Sequence, residues 1–159
     1  MELNNNSIIE NKFEISTLKN CENNINKKND CIFCFLPQKR ILFENDLIII
    51  FEDINPIAQI HLLCIPKSHI KNINSLTIND LNLLNEMKNN SLDYIMKHYN
   101  NINDNNIILG FHIPPFTSVN HLHMHCLVPP FKNCFIKFCK VNCVMRFFNT
   151  VINNIQNNK

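Results

Sequence analysis

Residues 121–125 carry three histidines, His121, His123 and His125, separated by single apolar residues. Side chains on a β-strand alternate between faces, so this spacing predicts three imidazoles on one face. At a rise of about 3.3 Å per residue, the outer two lie about 13 Å apart, too far for all three to bind one metal ion at about 2.1 Å. Near neutral pH an imidazole can attack as a nucleophile or donate a proton. The row therefore favours a phosphate ester as ligand, with a metal site or unrelated surface histidines as the alternatives.

The helices and strands predicted around the histidine row form an α+β domain. It has a mostly antiparallel sheet, one long helix and a C-terminal helix. Residues 77–99 have mostly helical apolar spacing, with Thr77 and Asp80 as a capping box, and residues 141–155 repeat apolar residues on one helical face. Short apolar runs predict the strands at 41–43, 47–52, 61–65, 107–111 and 121–128, the last of them ended by Pro129-Pro130. Residues 1–30 lack such a period, which predicts a flexible Asn-rich extension before a domain at 31–159.

Composition limits the function classes. The chain has 159 residues, a formal net charge of +2 and one glycine, Gly110, so it cannot build a glycine-rich phosphate loop of the P-loop or dinucleotide type. It has no basic stripe and no apolar run of membrane-spanning length. We therefore expect it to bind neither nucleic acids nor membranes. Eight cysteines without a secretory signal favour a reducing compartment. We expect a cytoplasmic protein, with the nucleus as a second location.

Three further motifs stand around the histidine row. Residues 51–56 read F-E-D-I-N-P, residues 61–69 read H-L-L-C-I-P-K-S-H, and residues 110–120 read G-F-H-I-P-P-F-T-S-V-N. Together with the row they resemble the histidine triad (HIT) superfamily of nucleotide hydrolases and transferases. The resemblance is greatest to the third branch of the histidine triad nucleotide-binding (Hint) proteins and covers residues 31–130. It implies a HIT-like fold.

The resemblance assigns catalytic roles to four side chains. His123 matches the nucleophile that attacks the α-phosphorus of a nucleoside monophosphate ester or amide and forms a nucleotidyl-imidazole intermediate, which water then cleaves. His125 and His61 match residues that contact the phosphate and support the attacking ring. Ser118 matches a hydroxyl near the leaving group. The P-F-T-S run at 115–118 replaces the G-G-Q-S run of commoner Hint proteins, so we expect Phe116 to reshape the leaving-group side.

The same resemblance implies a nucleoside site. Asp53 matches the carboxylate that holds the ribose hydroxyls. Four apolar positions match residues around the base: Ile32, Phe33, Phe51 and Ile54. For these four the alternative is an ordinary place in the core, and for Phe51 the two interpretations have equal weight. His112 is interpreted as a loop residue at the mouth of the pocket.

A second constellation consists of Cys31, Cys34, His69 and His121, the ligand types of a closed Cys2His2 zinc site. Relatives in the superfamily hold zinc with these four positions, while other members lack the metal, so a metal-free C-x-x-C pair stays open. Such a zinc would be structural, and catalysis would need no cofactor.

The predicted function is hydrolysis of nucleoside 5′-monophosphoramidates, with acyl-adenylates as further substrates, by a homodimer that binds purine nucleoside monophosphate esters or amides. The alternatives are a dinucleoside polyphosphate hydrolase of the Fhit type and a non-catalytic purine nucleotide-binding adaptor.

Overall fold

A computed structural model describes residues 27–157, and over this range the chain forms a six-stranded antiparallel sheet with helices. The strands are β1 (Ile41–Glu44), β2 (Ile48–Glu52), β3 (Ala58–Pro66), β4 (Ile108–His112), β5 (Met124–Phe131) and β6 (Met145–Phe147). The helices are α1 (Leu81–His98), the short α2 (Cys134–Ile136), which runs into a π-helical segment (Lys137–Cys143), and α3 (Phe148–Asn157). The strand order is β1-β2-β3-β5-β4-β6. The predicted α+β class is confirmed, whereas the predicted extension falls almost wholly outside the described residues.

The predicted capping box of Thr77 and Asp80 is present, but it starts a short 3-10 turn at Ile78–Asp80, and α1 begins at Leu81. The backbone N–H of Thr77 donates to the Asp80 carboxylate over 2.7 Å, which satisfies a donor just before the first turn. One face of the helix is buried at Leu84, Met87 and Ile95. Met87 follows Leu84 by three residues and Ile95 follows Met87 by eight, and both intervals return to the same side of an α-helix. Between residues 27 and 157 no helix is both long and apolar enough to cross a bilayer.

The sheet separates an apolar face from a face that carries histidines. The core under α1 contains alternate residues of the strands: Ile48, Ile50, Ile60, Leu62, Cys64, Met124, Cys126 and Val128. Strand β3 is buried on both faces, since His61, Leu63 and Ile65 on its opposite side are buried as well. Alternation on a packed strand therefore places His61 away from the core.

The strand that follows the histidine row differs from the prediction at both ends. It begins at Met124, because the backbone N–H of Leu122 donates to the carbonyl of Ile70 and not to β3. It also continues through Pro129 and Pro130 to Phe131. An irregularity in the β3–β5 register next to the exposed prolines accommodates residues that lack an N–H.

The predicted helix over 141–155 is also corrected. Val141 belongs to the π-helical segment, and the chain extends into β6 before α3 begins at Phe148. Strand β6 pairs with β4, with His112 opposite Met145 and Gly110 opposite Phe147. A Cβ at Gly110 would lie 2.9 Å from Met145 Cε and 3.0 Å from the Arg146 carbonyl oxygen, so the glycine allows β6 to approach β4.

Candidate active site and metal centre

Histidines from three neighbouring strands meet on the face opposite α1. His61 lies on β3, His125 on β5 and His112 at the end of β4, while His123 immediately precedes β5. Gly110 stands opposite His125 in the β4–β5 register, and His112 follows two residues later on the same face. The ring centroids of His123 and His125 are 5.1 Å apart, and those of His112 and His125 are 4.2 Å apart.

The buried imidazole of His123 is held in one tautomer. Its Nδ1 lies 2.6 Å from the carbonyl oxygen of His121, and since a carbonyl can only accept, Nδ1 carries the proton. Nε2 then has a free lone pair. Burial lowers the pKa of His123 below its ordinary value, although the hydrogen bond to His121 and the charge of Asp53 act in the opposite direction. The ring is therefore neutral near pH 7, with the form a nucleophile needs.

A chain of hydrogen bonds fixes the protons of His61 and His125. The backbone N–H of Ile57 donates to Nδ1 of His61, so the neutral His61 ring carries its proton on Nε2. That Nε2 lies 2.8 Å from Nδ1 of His125 and 3.3 Å from the Asp53 carboxylate. His125 therefore accepts at Nδ1 and carries its own proton on Nε2, which is buried without a partner. Burial lowers the pKa of His61 to about 4 despite the charge of Asp53, and it lowers the pKa of His125 as well.

A second group of donors lies on the other side of His121. Nδ1 of His121 is 3.3 Å from the Cys31 thiol and 3.5 Å from that of Cys34, and Cys34 is 3.3 Å from Nδ1 of His69. All four ligand atoms lie within 4.8 Å of one another. In a tetrahedral zinc site with bonds of about 2.3 and 2.1 Å, a sulfur and a nitrogen are about 3.6 Å apart, close to these distances.

Two hydrogen bonds prepare these donors for a metal. Nε2 of His121 donates to the Pro66 carbonyl over 2.9 Å, which leaves the lone pair of Nδ1 directed at the two thiols. The backbone N–H of Lys28 donates to the Cys34 sulfur over 3.4 Å, a contact that stabilises a thiolate. The residues present therefore fit a Cys2His2 metal site, and this donor set is typical of zinc.

The apolar residues expected around a base divide into two pairs. Phe33 and Phe51 are buried and pack edge to face at 5.3 Å, with the Arg40 guanidinium 5.4 Å from the centre of the Phe51 ring. Ile32 and Ile54 are 65% and 74% exposed, so their side chains are free to contact a ligand. The ring centroids of Phe33 and His123 are 5.6 Å apart with the rings nearly perpendicular, which joins this apolar group to the imidazoles.

The sequence comparisons agree with this architecture. The profile of the family described as "Scavenger mRNA decapping enzyme C-term binding" matches residues 30–139. The fold is similar to the crystal structure of a HIT family hydrolase from Legionella pneumophila Philadelphia 1, with a TM-score of 0.59, 29% identity and coverage of 66% of this chain and 97% of that chain. The chain belongs to the histidine triad superfamily.

The relatives with named activities include enzymes that are named for two different adenosine compounds. Adenosine 5′-monophosphoramidase HINT3 of Xenopus tropicalis is 36% identical over 114 residues, which cover 68% of this chain and 73% of that protein. Bifunctional adenosine 5′-phosphosulfate phosphorylase/adenylylsulfatase HINT4 of Arabidopsis thaliana is 37% identical over 115 residues, 64% of this chain and 71% of that protein. The similarity to HINT3 confirms the resemblance to the third Hint branch.

Two further residues named in the sequence analysis, Ser118 and His112, have the following places in the structure. Ser118 is exposed and lines a cavity of about 270 Å³ beside Cys31 and His69, on the metal side of the triad. His112, interpreted from the sequence as a residue at the mouth of the pocket, contacts the His125 ring inside the imidazole group. The missed signal is strand alternation: residues 110 and 112 share a face, and residue 110 is opposite His125.

Proposed function

We propose that this protein hydrolyses adenosine 5′-monophosphoramidates, cleaving the P–N bond and releasing AMP and an amine. The observation that carries the proposal is the hydrogen bond from Nδ1 of His123 to the His121 carbonyl, which leaves a buried, neutral Nε2 free to attack. The named activity of HINT3 from Xenopus tropicalis supports the choice of substrate.

The proposed reaction has two displacements at phosphorus. Nε2 of His123 attacks the α-phosphorus, the P–N bond breaks, and the amine leaves with a proton delivered by the Ser118 hydroxyl. Water then attacks the same phosphorus, the bond from phosphorus to Nε2 breaks, one proton of the water restores the Ser118 hydroxyl, and AMP is released. The proton stays on Nδ1 of His123 and remains hydrogen-bonded to the carbonyl oxygen of His121, which offsets the positive charge that develops on the ring during attack.

In this proposal His125 and His61 support the phosphoryl group, and Asp53 holds the ribose. The unpaired Nε2–H of His125 is available to donate to a phosphate oxygen, and the hydrogen bond from His61 fixes that N–H in place. The Asp53 carboxylate accepts from the backbone N–H of Asn55 at 2.8 Å and faces His61 with its second oxygen. Its ribose contact and the delivery of a proton by Ser118 are parts of the proposal inferred from the motif positions.

Adenosine 5′-phosphosulfate is a second candidate substrate, because its sulfate leaves from the same α-phosphorus and the relative from Arabidopsis thaliana is named for that compound. The two candidates differ only in the leaving group, since both place an adenylyl group on His123.

The test compares specificity constants of the full chain for four substrates: an adenosine phosphoramidate, adenosine 5′-phosphosulfate, diadenosine triphosphate and diadenosine tetraphosphate. We expect the highest kcat/KM for the phosphoramidate, and no turnover by a His123→Ala variant. Preference for a dinucleotide would assign the protein to the Fhit type. AMP binding without turnover of any substrate would favour the adaptor.

Zinc held by Cys31, Cys34, His69 and His121 forms part of the proposal. The distances among the four donors support it. So do the hydrogen bond from Nε2 of His121 to the Pro66 carbonyl and the one from the backbone N–H of Lys28 to the Cys34 sulfur. When bound, the zinc would fix the segment before β5 and supply no reacting group.

A homodimer completes the proposal. Leu42 on the edge strand β1 and Met96 on α1 are 39% and 43% exposed, which supports an interface at the long helix and the sheet edge. Light scattering of the purified protein tests the stoichiometry: twice the mass of 18.7 kDa is expected, and a monomer at micromolar concentration would contradict it.

A further inference from the structure

A cavity of about 480 Å³ adjoins the buried phenylalanines of the candidate site and includes an arginine in its lining. Phe33 and the exposed side chain of Ile32 form part of its apolar wall, and Arg40 is its basic residue. Ligand sites in proteins have volumes of about 300–1,000 Å³ and combine apolar walls with a few polar groups. The size and the lining of this cavity therefore suit a flat ligand that carries hydrogen-bonding groups at its edge.

Ring contacts connect this cavity to the proposed nucleophile. The ring centroid of Phe33 lies 5.6 Å from that of His123 and 5.3 Å from that of Phe51. The guanidinium carbon of Arg40 lies 5.4 Å from the centre of the Phe51 ring, on the far side of the phenylalanines. Phosphorus, base and the outer edge of the base follow each other in a nucleotide in the same order. The occupant that matches this arrangement is a nucleobase whose outer edge faces Arg40.

Two contacts hold the guanidinium of the half-buried Arg40 in place. One of its terminal nitrogens donates to the carbonyl oxygen of Glu52 over 3.2 Å, directly before Asp53 in the chain, and the group lies over the Phe51 ring. Between residues 27 and 157 no carboxylate forms an ion pair with Arg40. A guanidinium has five N–H donors in a planar fork, so donors remain for a ligand with two adjacent acceptors.

The hydrogen-bonding pattern of the purines decides which base suits this fork. Guanine carries the acceptors O6 and N7 side by side, and an arginine that donates to both is the commonest specific contact to a base in protein–DNA complexes. Adenine has an amino group in place of O6, so a donor of the base would face a donor of the arginine.

We propose that Arg40 donates to O6 and N7 of a guanine base in this cavity, so that guanosine 5′-monophosphoramidates are better substrates than their adenosine counterparts. The inference rests on the proposed function and extends it, because the reaction at His123 is the same for both bases. The preference belongs to Arg40, since the apolar walls accept either purine.

Four nucleotides test the two acceptor atoms separately. IMP keeps both O6 and N7 of GMP, AMP carries an amino group in place of O6, and 7-deaza-GMP carries a carbon in place of N7. Calorimetry with the full chain should give similar affinities for GMP and IMP. AMP and 7-deaza-GMP should each bind about tenfold more weakly, the size of effect expected when a bidentate contact is lost.

Two substitutions assign the preference to the arginine. Arg40→Met keeps an apolar stem and removes all donors, whereas Arg40→Lys keeps the positive charge and removes the paired donors. Both variants should bind the four nucleotides about equally, with an AMP affinity near that of the wild type. Lys39→Met is the matched control, since Lys39 is exposed in the same turn and is not part of the cavity lining. Thermal unfolding identifies folded variants, and Arg40→Lys carries the test if Arg40→Met does not fold.

Equal affinity of the wild type for GMP and AMP would overturn the inference, as would no measurable binding of GMP. A preference for GMP that survives in both Arg40 variants would also overturn it, because other residues would then recognise the base. An equal loss of GMP and AMP affinity in the variants would do the same, since that pattern indicates a structural role or a general attraction of the phosphate.

The specificity constants for guanosine and adenosine phosphoramidates separate this inference from the proposed function. If both hold, kcat/KM is about tenfold higher for the guanosine compound in the wild type and about equal for the two in Arg40→Lys. Cleavage of both compounds with equal kcat/KM would refute the base preference alone. Tighter binding of GMP that depends on Arg40, without turnover of either compound, would refute the proposed function alone.

Discussion

His121 and His123 are joined by a hydrogen bond in which Nδ1 of His123 donates to the carbonyl oxygen of His121 over 2.6 Å. The ring of the same His121 lies 3.3 Å from the Cys31 thiol and donates to the Pro66 carbonyl. One residue thus serves two sites, because its carbonyl orients the proposed nucleophile while its ring belongs to the group of metal-ligand donors.

Replacing His123 by Ala or Asn should abolish turnover and spare AMP binding. Among the histidines that meet at the candidate site, only His123 has its Nε2 lone pair fixed by a hydrogen bond from Nδ1 to a carbonyl, so the variants lose the attacking atom and keep the pocket. We expect kcat for the phosphoramidate to fall more than about a thousandfold. Steady-state kinetics and AMP calorimetry measure the two quantities, and retained turnover would contradict the mechanism.

Removing the thiols should remove zinc. The purified protein should contain about one zinc per chain, and Cys31→Ser/Cys34→Ser should contain none, because two neutral hydroxyls replace two thiolate ligands. We expect a lower Tm and about tenfold lower activity, since the variant no longer fixes His121. Cys143→Ser, at an exposed position, is the control. A stable wild type without metal would refute the site.

The protein should lose stability as the pH falls below about 6.5. Burial lowers the pKa of both His61 and His112 to about 4, whereas unfolded histidine titrates near 6.5. Between these values the unfolded chain binds more protons, so the free energy of unfolding decreases as the pH falls from 6.5 toward 4. Thermal unfolding between pH 7.5 and 5 measures this, with a smaller decrease expected for His112→Gln. A Tm that is constant from pH 7 to 5 would disprove it.

Asp53→Asn should raise KM about tenfold and change kcat less. The amide keeps the oxygen that accepts from the Asn55 N–H, so the turn is preserved while the charge that would hold two ribose hydroxyls is lost. A contact far from phosphorus binds the ground state and the transition state alike. Glu52→Gln is the neighbouring control. A fall in kcat at constant KM would instead indicate that Asp53 acts through His61, which lies 3.3 Å away.

Gly110→Ala should destabilise the fold by about 1–3 kcal/mol. The new methyl would meet Met145 Cε at 2.9 Å, which a flexible side chain can relieve, and the Arg146 carbonyl oxygen at 3.0 Å, which only movement of β6 can relieve. Urea unfolding measures the change. Met145→Ala in the same background should recover only the side-chain part, and an unchanged midpoint in Gly110→Ala would show that β6 adapts freely.

Strong local patterns predicted much of the fold. The capping residues and apolar period of α1, and the apolar runs of β1 to β4, are confirmed within one to three residues at most ends. Strand β6 was missed because three residues are too few to show alternation, and helical spacing continued across it from Val141 to Ile155. The passage of β5 through Pro129 depends on a register irregularity with β3, which no local pattern contains.

The residues of the candidate site could be predicted from the sequence in part, and the rest depended on contacts between distant strands. The resemblance to the histidine triad superfamily implied that Cys31, Cys34, His69 and His121 come together, and the structure brings them together. The place of His112 depends on the pairing of β4 with β5, and the proton positions of His61 and His125 depend on the distant N–H of Ile57. Sequence gives residue types, but these tautomers follow from hydrogen bonds between separate strands.

His61 and His125 lie on β3 and β5, the two middle strands of the sheet. Amides at the centre of a packed sheet exchange with solvent mainly through global unfolding, whereas residues in exposed connections exchange through local openings. The imidazoles therefore belong to the last part of the molecule to open, while Ser118 lies in the connection between β4 and β5. Loss of activity on heating should thus coincide with cooperative melting of the whole domain, and variation in leaving-group preference can accumulate in the connection without weakening the reacting groups.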